Sequence, residues 1–331
     1  MIQVALLSRW HVHADDYAKE ALENPDIQIK KVWDDNVERG EQWAKELDVP
    51  FEENIDKVMK DDDIDAIIVT TSTNLHTEIL LKACQHNKHI FTEKVLALSV
   101  KESEEIWKAK LKYNVQLMVS LPRLTEKEFL CAEEAVEKGW LGNLTMIRCR
   151  LAHDGAVIPD GEEFGWLPDR FYDKQRAGGG ALVDLGAHPI YLTNRLMGKS
   201  ISVYAHLQSI SDQYEVDDSA VVTVEYESGA LGIIETSFLS HGSPFQLQLY
   251  GTEGTLLAED GKVKIKRKQY QDDKWLELEA PKQIASPMKQ WADAIQKNST
   301  PTITKDDFLQ LTVINQAADL SHKQKKRVEI R

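Results

Sequence analysis

Short apolar segments alternate with segments of helical periodicity over the first 120 residues, and this alternation limits the fold more than any other feature. The apolar segments, which we predict to be strands, are 2–7, 27–33, 66–70, 89–92 and 115–120. The amphipathic segments, which we predict to be helices, are 14–23, 37–47, 55–59, 76–84 and 100–112. This order predicts a parallel sheet with helices on both faces, and ligands bind such sheets at the carboxyl ends of the strands. Residues 1–121 are therefore predicted to form a Rossmann-type α/β domain.

After residue 121 the pattern changes to a helix followed by many strands. The helix is predicted at 125–138, and the strands at 144–153, 201–208, 219–226, 230–238, 245–250, 255–258, 263–268 and 275–279. Short turns containing Gly229 and Gly261 join neighbouring strands, which indicates a large, mainly antiparallel sheet. Apolar and polar side chains alternate along 245–250, so we expect helices on one face and a subunit interface on the other.

Residues 122–331 are thus predicted to form an α+β domain, which we expect to assemble as a homodimer or homotetramer through the open face of its sheet. A helix is predicted to end near Met197, and two more are predicted at 287–297 and 305–322, the last a candidate to pack back on the first domain. We interpret the basic run at 323–327 as solvated.

Charge and cysteine content narrow the class of partner. The 331 residues carry a net charge of −14, which disfavours nucleic acid and anionic membranes and favours a small-molecule ligand. Cys84, Cys131 and Cys149 are widely spaced, which suggests buried thiols in a reducing compartment and offers neither a disulfide framework nor a paired metal-binding motif. Apolar runs are too short for a membrane span, and the first residues resemble a strand rather than a signal peptide. We expect a cytoplasmic protein.

The turn after the first predicted strand lacks the glycines of a dinucleotide fingerprint. Ser8, Trp10 and His13 fill the three glycine positions of GxGxxG, which counts against nucleotide binding. The following helix N-terminus still attracts anions, and Arg9 can add a charge-assisted contact to a phosphate. Asp34 ends the second strand, where an acid binds the adenosine ribose and repels a 2′-phosphate, so NAD is favoured over NADP. The alternative is that Asp34 and its neighbour are solvated loop acids.

Polar side chains also follow the third and fourth predicted strands. Thr71, Ser72, Asn74 and His76 can line a nicotinamide site or only cap a helix. Glu93 and Lys94 end a buried strand, where a lysine is costly unless its ammonium reaches a cleft or a partner. A structural salt bridge between the two is the competing explanation. The candidate cofactor-binding residues are Ser8, Arg9, Trp10, His11, Asp34, Thr71, Ser72, Asn74, His76, Glu93 and Lys94.

Three glycines, 178–180, precede an apolar run that carries Asp184 and His188 four residues apart. If this run is helical, the two side chains share a face, and the acid can fix the tautomer of an imidazole that accepts a proton from a hydroxyl. Pro189 follows directly and can delay or kink the helix. The alternative is a turn, a capping acid and a histidine that only packs.

A long loop over 154–176 suggests a functional segment, because loops of this length are uncommon in compact domains. The candidate substrate-binding residues in and next to it are His153, Trp166, Arg170 and Tyr172, which suit hydroxylated ligands, and Arg123, just after the first predicted domain, completes the candidate set. A weaker hypothesis is a divalent metal held by His153, Asp154, Asp184 and His188, since imidazole and carboxylate are suitable ligands.

These features together resemble the Gfo/Idh/MocA oxidoreductase family. Thr92-Glu93-Lys94 resembles its Glu-Lys-Pro motif with Val95 in place of proline, 178–188 resembles its GGG-x3-D-x3-H stretch, and Arg123 resembles its basic residue after the first domain. The resemblance implies a dinucleotide-binding domain in residues 1–121 and a substrate-binding domain in residues 122–331. It also implies NAD(P)-dependent oxidation or reduction of sugars, inositols and related polyols, with Lys94, Asp184 and His188 in the active site. The missing glycine fingerprint is the main departure.

Two functions follow as hypotheses. In the first, hydride moves between nicotinamide and a substrate carbon: His188 takes the hydroxyl proton, Asp184 orients that imidazole or holds the substrate hydroxyl, and Lys94 polarises the carbonyl oxygen. In the second, the chain is a catalytically idle relative that binds a sugar or nucleotide as a sensor or scaffold.

Overall fold

The computed structural model describes residues 1–211, 214–269, 274–281 and 283–330. The chain divides into two compact units, one of Met1–Ser120 with Ala285–Leu309 and one of Leu121–Ile284 with Gln310–Arg331. The second unit therefore lacks a segment, 285–309, that the sequence placed within it. Each unit has its own sheet.

The first unit holds a five-stranded sheet in the order β2-β1-β3-β4-β5, in which every pair of neighbours is parallel. Its strands are β1 (Ile2–Leu7), β2 (Ile27–Trp33), β3 (Ala66–Val69), β4 (His89–Thr92) and β5 (Leu117–Val119). The helices between them are α1 (Ala14–Glu23), α2 (Val37–Glu46), α3 (Ile55–Lys60), α4 (His76–Gln85) and α5 (Val100–Lys112). The predicted parallel α/β sheet is confirmed, with a fifth strand shorter than expected.

The second unit is built on a nine-stranded sheet in the order β13-β12-β11-β10-β6-β9-β8-β7-β14. The elements after β5 are α6 (Lys127–Glu137), β6 (Leu144–Ala152), α7 (Lys174–Ala177), α8 (Ala187–Met197), β7 (Ser200–Gln208), β8 (Ser219–Tyr226), β9 (Leu231–Ser237), β10 (Gln246–Gly251), β11 (Gly254–Glu259), β12 (Lys262–Arg267), β13 (Leu276–Glu277), α9 (Pro287–Lys297), α10 (Lys305–Gln324) and β14 (Val328–Glu329). β6 and β9 pair in parallel, whereas the other described pairs are antiparallel. The predicted, mainly antiparallel sheet is confirmed.

Alternating burial along the strands explains the layers of this unit. In β8 the residues Ala220, Val222, Val224 and Tyr226 are buried while Val221 is exposed. α8 packs against β6 and β9, and α6 packs against β10, β11 and β12. The sheet therefore carries these helices on its apolar face, as a period-two pattern requires.

α9 belongs to the first unit because its apolar side packs against β4 and β5. Its buried Trp291 lies 5.7 Å from the ring of Phe91, and Ser286 caps the helix by accepting from the Lys289 N–H. The Ser286 hydroxyl also donates to Glu20 of α1. α10 begins in this unit and continues in the second.

Two smaller predictions have different outcomes. The three cysteines are free and buried, and burial raises the pKa of Cys84 to about 11, which confirms that they are small core residues.

The strand expected at 275–279 is reduced to two residues, while Val328 and Glu329 after the basic run form β14 against β7. Among the described residues, no helix has both the length and the apolar character needed to cross a bilayer.

Candidate active site

The carboxyl edge of the first sheet brings together the polar residues that follow β1, β2, β3 and β4. The backbone N–H of Ser8 donates to the Trp33 carbonyl at 2.6 Å, and that of Glu93 donates to the Val69 carbonyl at 2.9 Å. These bonds keep the four strand ends in line, so the residues after them lie along one edge. The predicted arrangement of these strand ends is confirmed.

Ser8 gives the first turn a glycine-like backbone without a glycine. Its φ is 72°, in the left-handed region that glycine adopts most easily. The Ser8 hydroxyl lies 3.1 Å from an Asp35 carboxylate oxygen and accepts from Arg39 at 3.1 Å. The Trp10 side chain is buried. The turn thus keeps the backbone conformation expected at the first position of the fingerprint.

Asp34 is buried, and its carboxylate oxygens accept hydrogen bonds from within the unit. Arg39 donates from Nε at 2.9 Å and from its terminal nitrogen at 2.5 Å, and the backbone N–H groups of Arg9 and Asn36 donate at 2.7 and 2.9 Å. Burial alone would raise the pKa of Asp34, but these donors outweigh it and lower the pKa. A ribose hydroxyl would have to share or replace the contact with Arg39.

Arg9, predicted to meet a phosphate, forms ion pairs with Asp15 at 2.8 Å and Glu46 at 2.7 Å. Both pairs are partly exposed, and such pairs contribute little to stability, so a phosphate could compete for the guanidinium. The placement of Arg9 is therefore compatible with an anion contact that replaces one of these pairs.

Thr71 presents a buried hydroxyl that has no hydrogen-bond partner within the described part of the chain. An orphaned buried hydroxyl at the carboxyl end of β3 fits a polar ligand there. Nearby, the Ser72 hydroxyl donates to Asn74 at 2.7 Å, and Nδ1 of His76 lies 2.9 Å from the Val95 carbonyl oxygen. His76 therefore also links α4 to the segment after Lys94.

Glu93 and Lys94 are both buried after β4. The Lys94 backbone N–H donates to Oε1 of Glu93 at 2.9 Å, and the Lys94 ammonium lies 3.9 Å from the same oxygen. The Lys94–Val95 peptide bond is cis. The ion pair between Glu93 and Lys94, which is the structural alternative to a catalytic role for Lys94, is thus present but long.

Gly180 fits a space that no side chain could enter. A Cβ at this position would lie 1.9 Å from the Asp217 carbonyl oxygen. The Asp217 carboxylate accepts from the backbone N–H groups of Gly180 at 3.1 Å and Leu182 at 2.8 Å, and its carbonyl accepts from Ala181 at 2.7 Å. Burial raises the pKa of the Asp217 carboxyl. Asp217 therefore fixes the turn that leads to Asp184.

The conditional expectation of a helix through Asp184 is wrong. Residues 181–186 form turns, and α8 begins only at Ala187, which places Pro189 in the first helical turn where its missing N–H costs nothing. Asp184 and His188 therefore do not lie on one face of a helix. The helical spacing no longer supports the idea that Asp184 orients the His188 imidazole.

The His188 ring is oriented by Tyr191, one helical turn along α8. Nδ1 of His188 lies 2.8 Å from the Tyr191 hydroxyl, which also accepts from the Arg123 backbone N–H at 3.3 Å. Burial raises the pKa of Tyr191 well above its usual value, so the phenol stays neutral at pH 7. Sequence reasoning did not single out Tyr191, although its i, i+3 spacing from His188 was a usable signal.

The loop residues predicted to bind substrate divide into exposed and buried members. Trp166 is 58% exposed, donates from Nε1 to Asp154 at 2.9 Å, and lies 4.7 Å from the His153 ring. Tyr172 is buried and stacks on Tyr214 at 3.6 Å. His153 and Trp166 thus come together.

Two further members of the predicted substrate set are cationic. The Arg123 guanidinium lies 4.7 Å from the centre of the Phe245 ring and donates to Glu126 at 2.9 Å. Arg170 lies 6.0 Å from the ring of Phe171. Both guanidinium groups therefore already contact aromatic rings of their own unit.

The metal hypothesis for the second unit is wrong. Across the described residues, no three of His153, Asp154, Asp184 and His188 bring their ligand atoms within reach of one ion. His153 instead stacks on Phe238 at 5.1 Å, and Asp154 contacts Nδ1 of His241 at 2.5 Å.

Comparison with known proteins decides the family. Residues 9–121 match the model for the oxidoreductase family with an NAD-binding Rossmann fold, and residues 129–257 match the Gfo/Idh/MocA C-terminal domain. The chain belongs to the Gfo/Idh/MocA family. The resemblance inferred from Glu93-Lys94 and the glycine-rich stretch is confirmed.

Within this family the chain is similar to two inositol dehydrogenases. It is 28% identical to the myo-inositol 2-dehydrogenase of Thermotoga maritima over 62% of its own length, and 28% identical to the scyllo-inositol 2-dehydrogenase (NAD(+)) of Bacillus subtilis over 70%. The matched stretches span 59% and 66% of those two enzymes, less than two thirds of each.

A solved Gfo/Idh/MocA structure has the same fold. The levoglucosan dehydrogenase complex with NADH and levoglucosan superposes with a TM-score of 0.85, covers 99% of each chain and shares 20% of residues. At this identity the similarity establishes the fold alone, and it agrees with the predicted combination of α/β and α+β units.

Proposed function

We propose that this protein is an NAD(H)-dependent dehydrogenase or reductase that moves hydride between nicotinamide and a carbon of a sugar, an inositol or a related polyol. The observation that carries the proposal is the buried His188–Tyr191–Arg123 hydrogen-bond chain in a member of this family. The names of the inositol dehydrogenase relatives support the substrate class.

The residues at the carboxyl edge of the first sheet fit the cofactor. The N-terminal amides of α1 suit a pyrophosphate, Arg9 can add charge, and the orphaned Thr71 hydroxyl suits a polar group of the nucleotide. Bound nicotinamide supplies the hydride donor or acceptor. We assign to the same site the other predicted cofactor-binding residues, which are Ser8, Trp10, His11, Asp34, Ser72, Asn74, His76, Glu93 and Lys94.

His188 is assigned the proton transfer. When Nδ1–H donates to the Tyr191 oxygen, Nε2 carries the lone pair that takes the substrate hydroxyl proton. Lys94 places an ammonium to stabilise the developing carbonyl oxygen. Because Asp184 precedes α8, we assign it the second of its two expected roles, holding a substrate hydroxyl.

Arg123, His153, Trp166, Arg170 and Tyr172 stay our proposed substrate-binding set. The exposed indole of Trp166 beside His153 offers a face and hydrogen-bonding groups to a polyol. Buried Tyr172 would act mainly by supporting the loop.

Calorimetric titration of the full chain with NADH and NADPH, followed by turnover assays on sugars and inositols, tests this function. We expect NADH binding below millimolar concentration and turnover of at least one polyol. Binding of neither nucleotide at millimolar concentration would favour the sensor or scaffold.

We propose NAD rather than NADP because Arg39 carries a single positive charge and pairs with two carboxylates, those of Asp34 and Asp35, whose excess negative charge would repel a 2′-phosphate. Asp34→Asn is expected to shift the ratio of NADPH to NADH affinity about tenfold toward NADPH, since it removes a negative charge and releases Arg39 for a 2′-phosphate. Calorimetry with both nucleotides measures the ratio. Asp63→Asn, an exposed acid, is the control, and an unchanged ratio in Asp34→Asn would refute the role of this acid.

We propose a homodimer or homotetramer assembled through the open face of the second sheet, and a cytoplasmic location that suits three free cysteines. Tyr204, Val221 and Leu231 on this sheet are 50%, 48% and 46% exposed. Tyr204→Glu is expected to reduce the assembly to monomers, because it replaces an exposed aromatic side chain of the proposed interface by a charge that would have to be buried there. Light scattering measures the mass, and an assembly unchanged by this substitution would contradict the interface.

A further inference from the structure

Three side chains that commonly ligate metals converge in the first unit. His11 and His13 lie in the turn after β1, Glu93 follows β4, and their ligand atoms all lie within 4.8 Å of one another. Oε2 of Glu93 is 3.1 Å from Nδ1 of His13 and 3.7 Å from Nδ1 of His11. Ligands of a tetrahedral zinc ion stand about 3.4 Å apart, given bonds of about 2.0–2.2 Å. Both measured separations lie close to that value.

Nδ1 of His11 presents a lone pair on the side of the Glu93 carboxylate. The His13 backbone N–H donates to Nδ1 of His11 at 3.2 Å, so this nitrogen carries no proton. It faces the ionised carboxylate of Glu93, and both side chains are buried. A metal cation placed between this imidazole nitrogen and the carboxylate would be attracted to both, since both are suitable ligands.

The Glu93 carboxylate is held by donors outside the cluster. The Tyr17 hydroxyl donates to Oε2 at 2.5 Å, and the Lys94 backbone N–H donates to Oε1 at 2.9 Å. The Tyr17 ring packs edge-on against Phe91 at 5.1 Å, which fixes its position. The Lys94 ammonium lies near Oε1, the oxygen away from the histidines. Metal-ligating carboxylates are typically hydrogen-bonded in this way.

We propose that His11, His13 and Glu93 form a binding site for one divalent transition-metal ion of the zinc class. Two imidazoles and one carboxylate are a suitable donor set for such an ion. His13 is only partly buried, which provides a route for the ion and a position for water as a fourth ligand. The ion would join the β1–α1 turn, whose fingerprint glycines are replaced, to the end of β4.

Cobalt(II) titration of the chelator-treated full chain tests this site. We expect one equivalent of Co²⁺ with the visible absorption of a tetrahedral ion, displacement by Zn²⁺, and a raised melting temperature. His13→Gln and Glu93→Gln are expected to abolish this signal, and Tyr17→Phe to weaken binding about 10–100-fold by removing the donor that orients the carboxylate. His206→Gln, an exposed histidine of β7, should leave it unchanged.

Failure of Co²⁺ and Zn²⁺ to bind would overturn the proposal, and so would binding that is equal in wild type, His13→Gln and Glu93→Gln. The cluster would then hold a proton rather than a metal. Stoichiometry and the Co²⁺ spectrum do not depend on turnover, so this test and the test of the dehydrogenase function can fail separately.

Discussion

His188→Ala is expected to lower kcat by about a hundredfold to ten-thousandfold, the range that a positioned acid–base group contributes. The imidazole is held by the Tyr191 hydroxyl at 2.8 Å, and alanine leaves no group to accept the substrate proton. The affinity for NADH should change little, because the proposed cofactor contacts lie on the first unit. Steady-state assays with the best polyol, together with NADH titration, separate the two effects.

Two further variants sharpen the test of His188. Lys94→Ala removes the ammonium assigned to the carbonyl oxygen and should lower kcat over the same range. Tyr191→Phe keeps the ring and removes the hydroxyl that contacts Nδ1 of His188 and accepts from the Arg123 backbone N–H, so its loss of kcat should be smaller than that of His188→Ala. Turnover at the wild-type level in both His188→Ala and Lys94→Ala would refute the catalytic assignment.

Gly180→Ala is expected to destabilise the protein by about 3 kcal/mol and to lower kcat as well. The new methyl would lie 1.9 Å from the Asp217 carbonyl oxygen and 2.7 Å from the Asp217 backbone nitrogen. Because the backbone of one of the two segments must move, the loss of stability should lie at the upper end of the range for overpacking substitutions. The displaced segment leads to Asp184. Denaturant unfolding measures the stability, and kinetic assays of the folded fraction measure the turnover.

Gly179→Ala is the matched control for this substitution. Its Cβ would approach only the Val183 side chain, at 2.5 Å, and a side chain can rotate or shift more easily than backbone. We expect a smaller loss of stability than in Gly180→Ala. Equal losses in the two variants, or a fully stable Gly180→Ala, would contradict the role assigned to the close contact with Asp217.

The parallel sheet could be predicted because its strands are continuous apolar runs. β3 is buried at all four positions, and such runs between amphipathic helices have few alternative arrangements. The placement of α9 could not be predicted in this way. Its apolar side fits several surfaces, and only the packing of Trp291 near Phe91 assigns it to the first unit.

The candidate site was predictable as a set of residues but not as a set of contacts. His188 and Lys94 stand in recognisable motifs, whereas Asp217 lies 37 positions from Gly180 and contacts it only through the fold. The same limit applies to Asp34. Its position after β2 could be predicted, but its ion pair with Arg39 could not. Pairings between distant residues depend on tertiary structure that local patterns do not encode.

The central claim is hydride transfer from a polyol carbon to NAD, and isotope transfer tests it most directly. The full chain would be incubated with NAD and carbon-deuterated inositols or sugars, and the deuterium content of the NADH formed would be measured by mass spectrometry. We predict one deuterium in each NADH, and greatly reduced formation of that product by His188→Ala. Formation of no NADH from any substrate by a chain that binds NAD, or NADH without deuterium, would contradict the claim.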